Sequence, residues 1–97
     1  MHALVGRVRI KPGCESETLA MIAAHGVAMV RGIEGSVCGY WARQEPDDEG
    51  VVQHTFWLFD NETSARHAEQ TFLGLRDMPD APATFIAADV CEVVGQA

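Results

Sequence analysis

Val51-Val52-Gln53-His54-Thr55-Phe56-Trp57-Leu58-Phe59 is the stretch on which the fold turns. It is rich in β-branched and aromatic residues, with an acidic loop before it and Asp60-Asn61 after it, so it reads as a strand. Successive side chains of a strand point to opposite faces. His54, Phe56 and Leu58 therefore share one face, and Val51, Thr55, Trp57 and Phe59 share the other. Both faces are apolar, so both need cover.

Working outward, Ser36 to Arg43 reads as a second strand through Val37-Cys38-Gly39-Tyr40-Trp41-Ala42. The loop Glu45-Pro46-Asp47-Asp48-Glu49-Gly50 joins the two as an antiparallel hairpin. At the start of the chain, Leu4, Gly6, Val8 and Ile10 alternate with Val5, Arg7 and Arg9 over residues 3–10, another strand. Lys11-Pro12-Gly13 ends it. From Glu15 to Ile33, Leu19, Ile22, Ala23, Gly26, Val30 and Ile33 recur at helical spacing, and Gly35 is a candidate stop. The other side of that helix, with Met21, Ala24 and Ala28, is apolar too. It is either a face of small residues or one that a second subunit or loop partly covers. Asp60 or Asn61 caps a second helix with Ala65, Ala68, Phe72 and Leu75 as its buried stripe. Thr84 to Val94 is the last strand, with Phe85 and Val93 on one side and Ile86, Val90 and Val94 on the other.

The order β-α-β-β-α-β is the ferredoxin-like pattern of the α+β class: a four-stranded antiparallel sheet with two helices on one face. Two helices cover one face of such a sheet. The apolar second face is then expected to meet the same face of another copy, giving a homodimer. The chain, residues 1–97, is one domain. That length leaves no room for a separate cofactor domain. The net charge of −7 argues against nucleic acid or an anionic membrane as partner, because both require a basic face. Cys14, Cys38 and Cys91 form neither a disulfide framework nor a zinc spacing, and the four histidines have no metal-ligand spacing. Neither a signal peptide nor a membrane-length apolar run is present, so the expected address is cytoplasmic.

The opening strand with Lys11-Pro12-Gly13, the passage Ile33-Glu34-Gly35 into Val37-Cys38-Gly39-Tyr40, and the third strand running into Phe59-Asp60-Asn61-Glu62 together resemble the antibiotic-biosynthesis-monooxygenase-like domain. That domain belongs to the dimeric α+β barrel superfamily, and the resemblance spans nearly the whole chain. It implies a cofactor-independent monooxygenase-type enzyme acting on a small aromatic or polyketide-like compound, with no metal, flavin or haem. The alternative is a non-catalytic homodimer that binds a small hydrophobic or aromatic molecule. Haem-degrading relatives carry an Asn on the first strand, a Trp ending the third and a His on the second helix. Here the first two positions are Gly6 and Phe59, and His67 lies on the helix side away from Ala65, Ala68 and Phe72.

On the family's pattern Thr55, Trp57 and Phe59 face the helices around a cavity, with Tyr40 and Trp41 at its edge. Gly6 and Gly26 leave room on the first strand and first helix. Plain core packing explains the same aromatic residues equally well. His54, Phe56 and Leu58 are expected in the dimer interface. Arg7 and Arg9 join them, paired there with Asp89 or Glu92 rather than binding a substrate anion. Arg43 is expected to anchor the acidic loop, and His2, His25 and His67 to be exposed. Cys38 and Cys91 read as small core residues, and Cys14 as a surface thiol. No residue stands out as the catalytic base.

Overall fold

The computed structural model describes residues 1–97. The strands are β1 (His2–Ile10), β2 (Ser36–Arg43), β3 (Val51–Phe59) and β4 (Ala83–Glu92). They form one antiparallel sheet in the order β2-β3-β1-β4. A first helical run comprises α1 (Glu15–Met21), a π-helical turn (Ile22–Gly26) and α2 (Val27–Arg31). The second helix is α3 (Glu62–Leu73), followed by a short 3-10 turn (Gly74–Asp77). Both helices lie on one sheet face, which makes the fold ferredoxin-like. No helix is long and apolar enough to cross a membrane.

The pairing register sorts the sheet's side chains. Leu4 faces Trp57, Gly6 faces Thr55 and Ile10 faces Val51. These residues are buried beneath the helices, together with Val8 and Phe59. Val30 of α2 and Ala65, Ala68 and Phe72 of α3 close the core from above. Asn61 caps α3, its Oδ1 accepting the Ser64 N–H at 2.8 Å.

Several expectations change. The buried edge of the first helix runs through Thr18 and Val30, with Cys14, Ile22 and Gly26 half-buried, whereas Leu19 is 55% exposed and Ala23 is exposed. These contacts recur every four residues, a spacing that drifts by about 40° per step on a helix of 3.6 residues per turn. The wider π turn in the middle takes up that drift. The helix stops at Arg31, capped at Gly32, and Gly35 instead makes the turn into β2 with a left-handed φ of +85°. A Cβ there would stand 2.7 Å from Asp60 Oδ1. Leu75 leaves the α3 stripe because it falls in the 3-10 turn, and it is 47% exposed.

On β4 the register slips between Arg7 and Val8 of β1, leaving Ile86 as an extra residue. This bulge inverts the phase of the strand beyond it. Phe85, Ala88 and Val90 consequently share the helix side, where strict alternation would have separated Phe85 from Val90. The strand ends at Glu92, and Val94 is exposed. Cys91 lies opposite Ala3 and Cys38 opposite Leu58, both on the helix-free face. Cys91 is exposed and Cys38 half-buried, so neither is a core residue.

Arg9, not Arg43, holds the acidic loop. Its guanidinium lies 3.2 Å from Asp47 Oδ1 and 3.9 Å from Glu49. The Glu49 backbone N–H, opposed by desolvation and aided by Arg9 and the Gly50 backbone N–H, keeps the Asp47 carboxyl below its ordinary value. Arg43 ties the sheet to α1. Nε donates to Gln53 Oε1 at 2.8 Å, Nη1 to the Glu15 carbonyl at 3.0 Å and Nη2 to Thr18 Oγ1 at 2.7 Å. His2 is half-buried beside Glu62, at 3.9 Å, rather than exposed.

Candidate functional site

Four aromatic rings cross the core from the β2 edge to β4. Trp41 meets Trp57 edge-on at 5.9 Å between centroids, Trp57 meets Phe72 at 5.8 Å, and Phe72 meets Phe85 at 6.1 Å. The first two contacts are edge-to-face, which places the positive rim of one ring on the negative face of the next, and the third is tilted.

This row fills the room expected beside Gly6. A Cβ on residue 6 would stand 2.6 Å from Phe72 Cζ, so the glycine admits a phenylalanine of the same chain rather than a ligand. Beside Gly26, Trp41 Cζ2 lies 3.6 Å from where a Cβ would be, an ordinary van der Waals contact, so Trp41 borders this position without obstructing it. Thr55, Trp57 and Phe59 face the helices but are no more than 3% exposed. Of the six pocket candidates, Gly6, Thr55, Trp57 and Phe59 are therefore packed core.

Tyr40 and Trp41 instead line an open cleft of about 420 Å³ at the β2 edge. Val27, Val30 and Arg31 of α2 form one wall, and residues 36–41 of β2 form the other. The volume lies within the usual range for small-ligand pockets, roughly 300–1,000 Å³. β2 is an edge strand, so part of its backbone N–H and C=O row points away from the sheet and is free to bond. Gly39 forms the floor. A Cβ there would lie 3.3 Å from Trp57 Cδ1 and 3.4 Å from Val30, so the pyrrole edge of Trp57 backs directly onto it. Trp57 Nε1, the next atom of that ring, is buried without a hydrogen-bond partner. A buried unpaired donor costs about 1–3 kcal/mol. The sequence signal for this cleft is the pair Gly39 and Trp41 on one face of β2, a small residue beside a large one.

No histidine or carboxylate lines the cleft. His67 borders a more polar groove of about 510 Å³ between α2 and α3, and His25 is exposed in the π turn. No three His, Cys, Asp or Glu side chains come together as a metal site.

The interface candidates sort by register. Arg7, Arg9, His54, Phe56 and Leu58 all lie on the helix-free sheet face. His54 Nε2 is 2.9 Å from Gln44 Oε1, which gives the imidazole a partner within the chain. Arg9 is likewise paired within its own chain, with Asp47 and Glu49. Arg7 has no carboxylate within 4 Å. Asp89 lies on this face opposite Val5, and Glu92 lies opposite His2 on the other face. Leu58 is 6% exposed even here, whereas Phe56 is 38% and Tyr40 65% exposed. No protein-family model matches the chain, and neither does any curated protein, so the reading of function rests on the fold and on this geometry.

Proposed function

We propose that the protein is a homodimer that binds a small planar aromatic molecule in the cleft between α2 and the edge strand β2. The observation that carries the binding reading is the cleft's construction. An aromatic wall at Trp41, aliphatic side chains at Val27 and Val30, and a glycine floor at Gly39 accept a flat apolar body. Support for the homodimer is the apolar, helix-free sheet face around Val5, Phe56 and Tyr40. Arg7 and Asp89 lie on that face without ion-pair partners, and a two-fold mate offers each the opposite charge.

Calorimetric titration with 2-naphthol, a flat bicyclic probe, tests the binding reading. Wild type is expected to bind it, and Trp41→Ala to weaken binding by about ten-fold, the loss of one stacked ring face at roughly 1–3 kcal/mol. Gly39→Ala, whose methyl meets Trp57 and Val30 at 3.3–3.4 Å at the cleft floor, is expected to weaken binding further while thermal unfolding shows the fold retained. Affinity unchanged in both variants contradicts the reading.

A second reading is the cofactor-independent oxygenation suggested by the resemblance to antibiotic-biosynthesis-monooxygenase-like domains. What supports it is the Trp41 wall, against which a planar aromatic substrate can be held. Oxygen uptake on adding an anthrone is its test, and no uptake above the buffer rate counts against it.

A further inference from the structure

The basic side chains divide by what they already hold. Arg9 is paired with Asp47 and Glu49, Arg66 with Glu62 and Glu69, and Arg76 with Asp77. Arg43 is spent on Gln53, Thr18 and the Glu15 carbonyl. Arg31, like Arg7 and Lys11, has neither a carboxylate within 4 Å nor a side-chain hydrogen bond, in a chain with fourteen acidic residues against seven basic ones. It is also the only charged residue lining the β2-edge cleft. A place in the last turn of α2 suits a cation with or without a ligand. Its position on the cleft wall, in one cleft with the Trp41 ring, is what that explanation leaves over.

We infer that the cleft selects an aromatic carboxylate, its ring against Trp41 and Val30 and its carboxylate on the Arg31 guanidinium. The inference rests on the binding reading above and adds the ligand's charge to it. A guanidinium presents two parallel N–H groups that match a carboxylate's two oxygens, a geometry that an alcohol or a phenol cannot use. The negative charge of the rest of the chain opposes the approach of any anion. Selectivity for one must therefore come from this residue, which makes the inference testable by a single substitution.

The experiment is calorimetric titration of wild type and Arg31→Gln with two probes of the same shape, 2-naphthoate and 2-naphthalenemethanol, at neutral pH and at low and high salt. Wild type is expected to prefer the carboxylate by about ten-fold, the scale of a charge-assisted pair at a partly exposed site. The preference should shrink with salt, as a solvent-screened ion pair requires. In Arg31→Gln the two probes should bind within about two-fold of each other, the loss of affinity falling chiefly on the carboxylate. Arg31 is exposed and unpaired, so this variant keeps the fold. Equal affinities in wild type, or a preference that survives Arg31→Gln, overturn the inference and leave the cleft reading standing. If neither probe binds, both are overturned.

Discussion

Replacing Gly6 by alanine is expected to destabilise the protein by about 1–3 kcal/mol, the usual cost of overpacking a filled core. The new methyl meets the Phe72 ring at 2.6 Å, and a ring wedged between Trp57 and Phe85 has little room to retreat. For a domain of this length each kcal/mol lowers Tm by roughly 4–8 °C. In a Phe72→Leu background the same substitution is expected to become neutral or favourable. The obstruction is then gone, and what remains is alanine's lower backbone entropy cost in a strand, about 0.5–1 kcal/mol. Thermal unfolding of the four proteins in this cycle checks it. A Gly6→Ala variant as stable as wild type would mean that the space beside β1 is empty after all, and the ligand would then belong in the core.

The second large effect concerns assembly. Phe56→Glu is expected to convert a dimer into a folded monomer. Phe56 lies between Val5 and Tyr40 on the helix-free face, at the middle of the sheet. In a two-fold interface through that face the substitution places two carboxylates in one buried patch. Each stranded charge costs several kcal/mol, so the dimer dissociation constant should rise by about a thousand-fold or more. Phe56 is already partly exposed in the single chain, so the monomer's own fold is spared. Sedimentation or light scattering at micromolar concentration reads both forms. A wild-type monomer, or a Phe56→Glu variant that remains dimeric, contradicts the proposed interface.

The features legible in the sequence are those that depend on period and punctuation. The two-faced pattern of residues 51–59, the hairpin across the acidic loop and the Asn61 cap lead to the sheet and its helices without reference to distant contacts. The features that escape it depend on one-residue irregularities and on packing between remote segments. The β4 bulge carries no glycine or proline to betray it, so strict alternation puts Phe85 on the wrong side of Val90. The π turn similarly hides the use of Thr18 in place of Leu19, and Thr18 turns out to be a partner of Arg43.

The candidate site shows the same division. Gly6 invites the reading of an open space, but its occupant, Phe72, lies on another element, and only the folded chain brings the two together. Arg43 reads as an anchor of the acidic loop because it precedes that loop in sequence, whereas its side chain turns back under α1. Tyr40 and Trp41 are legible as pocket edges. Their partners across the cleft, Val27, Val30 and Arg31, are not, because a helix stripe read for core contacts hides what its flank can bind.

The central claim is that ligand meets this protein at the β2 edge and not within the aromatic core. A backbone-amide NMR titration with a flat aromatic ligand such as 2-naphthoate tests it most directly, because every candidate position reports separately. The expected result is a set of shifts concentrated at Val27, Val30, Arg31 and the β2 residues from Ser36 to Trp41, with Gly6, Thr55 and Phe72 still. Shifts centred on Gly6, Thr55 and Phe72, or none at saturating ligand, would contradict it.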